Sequence, residues 1–131
     1  MLITLRADLA RVLGEQQFLK RFGPLDYLLV LDTDANLTGQ MANQIWPIAA
    51  YPEIDGSFTN FKGRVQRIHS AFPPPGQALP AVEAIARLGH ALDSVERPRT
   101  AEAVFAEMAK EEPAFRGMSF ALSQHGRDLS A

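Results

Sequence analysis

The sequence predicts an α/β fold: a small mixed sheet, a β-hairpin at about residues 57–69, and helices at the C-terminal end. Three observations predict it. Residues 27–31, Y-L-L-V-L, form a continuous apolar run flanked by turn-forming residues, the pattern of a strand buried on both faces in a parallel sheet. Residues 47–66 carry two prolines, two glycines and a dense polar set, which reads as an ordered loop running into a hairpin. Beyond Pro80, apolar residues recur at helical spacing.

Residues 1–5 suit either a short strand or the start of a helix. Residues 7–22 read as helix, with Leu9, Val12, Leu13, Phe18 and Leu19 near one face and Gly14 as a candidate break. Gly23-Pro24 ends it. If residues 2–5 are a strand, the first 31 residues make one βαβ unit with a right-handed crossover. Asp32, Thr33, Asp34 and Asn36 then sit at the carboxyl end of the second strand, where open sheets often bind ligands. The same residue types are turn and N-cap formers. A short helix over 37–44, capped by Asn36 or Thr38, leads through Ile45 and Trp46 to a brief strand that Pro47 closes.

Asp55-Gly56 and Lys62-Gly63 are turn signals, because glycine accepts a positive φ. Residues 71–80 form an extended, proline-rich connection. Pro80 suits the first turn of a helix over 81–92 whose apolar stripe is Val82, Ile85, Leu88, Ala91 and Leu92. Thr100 caps a further helix through Lys110, with Ala101, Val104, Phe105 and Met108 facing the core. Pro113 stops it. A last short helix is expected over 118–124 and a fraying tail over 126–131. The whole is read as one domain, an α/β portion over 1–76 with a helical extension over 77–131 packed on it.

Composition narrows the function classes. The chain has 131 residues, 47% hydrophobic and 21% charged, which suits one folded domain with a modest core. Net charge is −2 with both signs interspersed, so no field points to nucleic acid or an anionic membrane. With no cysteine there are no disulfides, thiolate metal sites or cysteine-ligated clusters in this chain. That usage is compatible with the cytosol. No apolar run is long enough to span a bilayer, and Arg6 and Asp8 interrupt any leader-like region at the start.

The residues around the hairpin carry a resemblance. Pro47, Glu53, Asp55, Gly56, Ser57, Phe58, Thr59, Asn60, Gly63, Arg64, Val65 and Gln66 match, without a gap, a segment of the form LP-x5-E-x-D-G-T-F-T-N-x-E-G-R-V-Q. This is similar to the molybdopterin oxidoreductase superfamily and, within it, to the large iron–sulfur subunit of bacterial NADH–quinone oxidoreductase (complex I). Pro74-Pro75-Gly76 resembles a step that follows the hairpin in that subunit. Residues 104–109 and 113–120 resemble its V-F-A-E-L-A and P-A-F-x-G-L-S-Y segments. The chain departs from the family at Leu37 and Asn43, where acidic residues would stand. The resemblance covers about residues 26–122 and implies a portion of the molybdopterin oxidoreductase fold.

It also implies a function. The first reading is a non-catalytic structural and assembly segment of the hydrophilic arm of complex I. Its partners would be the other hydrophilic-arm subunits, its redox centres would lie in other chains, and its location would be cytoplasmic, peripheral to the inner membrane. The alternatives are a fragment of a molybdopterin-dependent oxidoreductase that lines the pterin cofactor, and a free-standing interaction module. No cofactor is expected in this chain itself. An isolated piece is expected to leave an apolar face through which it would form homo-oligomers; Trp46, Phe58, Phe61 and Phe72 are read either as that face or, at least as readily, as buried core.

No independent active site is expected. His69, His90 and His125 lack metal-ligand spacing. Glu53 and Asp55 read either as an acid/base pair or as loop-forming acids. Ser57 and Ser119 lack a nucleophile elbow, and no glycine-rich phosphate loop is present. Arg64 is singled out as a rigid donor fork, an anchor for the loop to acids such as Glu53 or Asp55, or a ligand-binding group. Asn60 and Arg64 are the candidates for a place near a pterin that the resemblance permits.

Overall fold

In the computed structural model of the chain, residues 1–121 and 126–129 are described. Residues 118–121 of the helix expected over 118–124 are not helical, and the rest of that stretch, with His125, lies outside the described residues. The described residues group into two compact units, each built from separate stretches of chain: 1–49 with 75–81, and 50–74 with 82–131.

The first unit is a three-stranded parallel sheet, β1 (Leu2–Leu5), β2 (Leu28–Asp32) and β3 (Gln44–Pro47), in the order β1-β2-β3. All five residues of β2 are buried, as a central strand of a parallel sheet requires. Each of its large apolar side chains contributes roughly 1.5–3 kcal/mol on burial. Leu28 and Val30 meet Ala10 and Phe18 from α1 (Leu9–Leu13) and α2 (Glu15–Phe22), with Leu2, Phe22 and Met41 around them. The rings of Phe18 and Phe22 lie 5.1 Å apart.

Gly14 separates the two helices with φ +81°, a left-handed conformation that glycine takes without strain. That break corrects the single helical face expected over 7–22. It resets the helical phase, so Val12 and Leu19 are 80% and 49% exposed while Ala10 is buried. α3 (Leu37–Gln40) is one turn, shorter than the 37–44 expected, because Gln44 already pairs with Leu29 in the sheet. The proline-rich connection returns to this sheet: Leu79 bridges Ile48 in parallel, and its carbonyl accepts from the Ala49 N–H at 2.8 Å.

The second unit is antiparallel: β4 (Gly56–Thr59), β5 (Arg64–Ile68) and β6 (Arg127–Asp128), in the order β4-β5-β6. The hairpin expected at 57–69 is thus present, with Gly56 opposite Ile68 and Thr59 opposite Val65. The turn expected at Asp55-Gly56 is absent. Gly56 opens β4 and is not among the residues with positive φ. Part of the expected frayed tail is β6, whose Arg127 and Asp128 pair with Val65 and Arg64.

Two helices complete this unit, α4 (Ala81–Asp93) and α5 (Ala101–Glu111). The Thr100 hydroxyl caps α5 by accepting from the Ala103 N–H at 3.2 Å. Phe105 of α5 is buried with Val65, Met118 and Phe120, its ring 6.0 Å from Phe115 and 5.8 Å from Phe120. The stripe expected on α4 is corrected: Ala84 and Ala86 are buried, whereas Ile85 and Leu92 are 45% and 64% exposed. Ile85 instead lines an apolar cleft of about 450 Å³ with Val82, Pro98 and Val104.

Candidate functional site

Two places gather the polar residues that the sequence singled out. In the second unit it is the hairpin turn. Asn60 Oδ1 accepts from the Lys62 and Arg64 N–H groups at 2.9 and 3.0 Å, and the Asn60 N–H donates to the Arg64 carbonyl at 3.0 Å. Gly63 completes the turn with φ +78°, and its carbonyl accepts from the Leu129 N–H at 2.9 Å. The Asn60 carbonyl of the side chain is therefore committed to shaping the turn.

Arg64 reaches the last strand. Its Nη1 lies 3.5 Å from Asp128 Oδ1, and its guanidinium lies against Gly126, where a Cβ would stand 2.5 Å from Nε. The anchor of the Arg64 fork is thus a residue near the C-terminus. The fork packs on a glycine whose φ of +69° is the left-handed conformation that favours that residue. Neither Gly126 nor Asp128 was signalled by the motif, because the pairing spans more than 60 residues of chain.

The two acids of the loop serve different partners. Glu53 Oε2 accepts from the Ala50 N–H at 2.8 Å and closes the 3-10 turn over Tyr51–Glu53. Asp55 Oδ1 faces His69 Nδ1 at 3.4 Å and Arg67 Nη2 at 3.9 Å. Arg67 stacks on Phe120, its guanidinium carbon 4.4 Å from the ring centroid. Ser57 is half-buried opposite Arg67, and Gln66 is exposed opposite Phe58. Phe58, Phe61 and Phe72 are 48%, 94% and 53% exposed, and Phe58 packs on Tyr51 with ring centroids 5.3 Å apart.

In the first unit it is the carboxyl edge of the parallel sheet, where Pro47 ends β3. Asp32 Oδ1 accepts from the Thr33 N–H and Oδ2 from Asn36 Nδ2, both at 2.7 Å. Asn36 Oδ1 in turn caps α3 through the Gly39 N–H at 2.9 Å. Asp8 Oδ1 caps α1 through the Arg11 N–H and also accepts from the Thr38 N–H at 3.1 Å and the Thr38 hydroxyl at 2.8 Å. That hydroxyl, wholly buried, accepts from the Ala10 N–H at 2.8 Å. Desolvation pushes the Asp8 carboxyl upward. The hydrogen bonds from Thr38 and from the Arg11, Thr38 and Leu37 backbones outweigh it and hold the group below its ordinary value.

The two described histidines, His69 and His90, have separate partners. His69 faces Asp55, and His90 Nδ1 lies 3.4 Å from Glu96 Oε1. Among the described residues, no three His, Asp or Glu side chains are grouped to hold a metal ion.

Comparison with known proteins places these residues in context. The family model described as molybdopterin oxidoreductase matches residues 4–91. The F420-dependent formate dehydrogenase 2 subunit alpha of Methanococcus maripaludis is 38% identical over 103 residues, 77% of this chain and 15% of that protein. The putative formate dehydrogenase YrhE of Bacillus subtilis is 33% identical over 96 residues, 73% of this chain and 10% of that protein. An NADH-quinone oxidoreductase subunit of Shewanella oneidensis is 34% identical over 73 residues, 56% of this chain and 8% of that protein. The chain thus spans 15% or less of the length of these curated relatives.

Proposed function

The chain belongs to the molybdopterin oxidoreductase family, and from that premise we propose that it is a non-catalytic structural segment of the large subunit of such an oxidoreductase, of the formate dehydrogenase kind. Its mixed α/β architecture of small sheets and helices is that of a part of the family's fold. One observation carries the proposal. The polar groups of the motif are engaged by the chain's own backbone and side chains: Asn60 by the turn, Glu53 by the Ala50 N–H, Arg64 by Asp128. A segment of that design holds a shape, and the reacting groups belong to other parts of the assembly. Formate dehydrogenase relatives match 73–77% of this chain, against 56% for the NADH-quinone oxidoreductase relative, which favours the first kind.

A second reading keeps the chain in the hydrophilic arm of an NADH–quinone oxidoreductase, beside the other arm subunits and peripheral to the membrane on its cytoplasmic side. The match to the Shewanella oneidensis protein supports it, together with the Pro74-Pro75-Gly76 step and the 104–120 segment. Among the described residues, no helix is long and apolar enough to cross a membrane.

Affinity purification of the tagged chain from its host, followed by mass spectrometry, separates the readings. Near-stoichiometric recovery of formate dehydrogenase chains supports the first. Recovery of flavin and iron–sulfur subunits of an NADH–quinone oxidoreductase supports the second. Recovery of the chain alone overturns both.

A further inference from the structure

The second unit carries two features that the described residues leave uncovered: the tip of the β4–β5 hairpin and the cleft between α4 and α5. At the tip, Phe61 is the most exposed of the large apolar side chains described. The turn holds it there. Asn60 Oδ1 accepts from the Lys62 and Arg64 N–H groups, and the Gly63 N–H donates to the Asn60 carbonyl at 3.0 Å. A ring on so fixed a support loses little freedom when it is seated against another surface. Lys62 Nζ stands 5.6 Å from the centre of that ring, and among the described residues no carboxylate pairs with it.

The cleft has apolar walls of Val82, Ile85, Ala86, Pro98 and Val104, and its volume of about 450 Å³ has room for an aromatic ring. Two charged residues also line it, Arg97 and Glu107. Arg97 is answered within the chain: its Nη1 donates to Asp93 Oδ1 at 2.9 Å and to the Val95 carbonyl at 3.1 Å, and its Nη2 donates to Asp93 Oδ2. Glu107 is exposed, and no described residue bonds or pairs with its carboxylate. The cleft is therefore an apolar seat with one unanswered negative charge. It fits an apolar side chain that carries a cation beside it. Phe61 and Lys62 are that combination, and a cation 5.6 Å from the ring centre is within reach of a carboxylate on the wall of the cleft that holds the ring. Within one chain the two do not meet, since Phe61 is 94% exposed and does not line the cleft.

We propose that, when the chain stands alone, the hairpin tip of one copy seats Phe61 in the α4–α5 cleft of a second copy, with Lys62 against the Glu107 of that copy. The ring supplies the apolar burial, and the charge pair sets the partner and its orientation. This goes beyond the reading above and does not rest on it. Purification from the host decides which larger chain accompanies this one, and sedimentation of the purified chain decides whether copies meet.

The test is sedimentation equilibrium of the 131-residue chain over a range of concentrations, beside Phe61→Ser, Lys62→Glu, Glu107→Lys and the double variant Lys62→Glu/Glu107→Lys. All three positions are exposed, and amide exchange in β4, β5 and α5 verifies that each variant is folded. The native chain should show a mass that rises with concentration. Phe61→Ser should abolish the rise. Each single charge reversal sets like charges face to face and should weaken association at least about fivefold. The double variant restores opposite charges and should return to within about twofold of the native chain, a rescue that a merely structural role for either residue does not produce. A native chain that stays monomeric overturns the proposal. So does association that survives Phe61→Ser, or a double variant no better than the singles. A monomeric native chain whose α4 and α5 amides become protected only on a larger oxidoreductase chain also overturns it, and makes that chain the occupant of the cleft.

Discussion

Replacing Thr38 with valine tests the joint that ties α3 to the start of α1. Valine keeps the shape of threonine and removes the hydroxyl. That hydroxyl is wholly buried and bonds twice, accepting from the Ala10 N–H and donating to Asp8, each at 2.8 Å. Ala10 is itself wholly buried, so its N–H loses a partner where water does not replace it. A buried donor left in that state costs about 1–3 kcal/mol. Against a typical domain stability of about 5–15 kcal/mol, the loss is readily measured. Urea unfolding should show a lower midpoint with an unchanged slope, and the Ala10 amide should exchange faster. Thr38→Ser retains both bonds and should cost only about 0.5–1.5 kcal/mol for its lost methyl. The Asp8 part has a sign in pH. Its folded value is depressed, so its contribution is present above the ordinary 3.8 and lost as pH falls through the folded value. The valine penalty should therefore shrink in acid. A valine variant within about 0.5 kcal/mol of the native chain, with the Ala10 amide still protected, would refute the reasoning, because that is the ordinary spread of a harmless substitution.

Other outcomes follow from the second unit. Phe105→Ala should lose about 3–5 kcal/mol in urea unfolding, since its ring is buried between Phe115 and Phe120. Gly126→Ala should strain a backbone at φ +69° and displace the Arg64 guanidinium from its place against residue 126. Hydrogen exchange should then rise in β6 and at Leu129, while β4 and β5 keep their pairing. The Asp93 carboxyl, held well below the usual range chiefly by its hydrogen bond from Arg97, should titrate below 3.8 by NMR and move up in Arg97→Met. Its contribution to stability is likewise present above 3.8 and lost in stronger acid.

Local rules carried much of the fold. The apolar run became the buried centre of a parallel sheet, because only such a strand hides both faces of a continuous hydrophobic stretch. Gly14 broke the first helix, and Lys62-Gly63 turned the hairpin, each with a positive φ at glycine. The misses have long-range causes. Val12 and Leu19 were placed on one face by a helical period that the Gly14 break interrupts. Gly56 looked like a turn residue beside an aspartate, yet strand pairing with Ile68 decides its conformation. The tail looked ready to fray because nothing nearby holds it, while β5, far back in the chain, pairs with it. At the hairpin the motif residues were legible from their pattern. Their partners were not, since Asp128, Gly126 and Phe120 reach Arg64 and Arg67 only through the folded chain.

Native mass spectrometry of the chain purified from its host tests the central claim most directly, with pterin analysis of the assembly and of the chain once released. The account predicts one copy bound to a larger oxidoreductase chain, with pterin in the assembly and none on the released 131-residue chain. A free monomer or homodimer with no oxidoreductase partner, or pterin that stays with this chain alone, would contradict it.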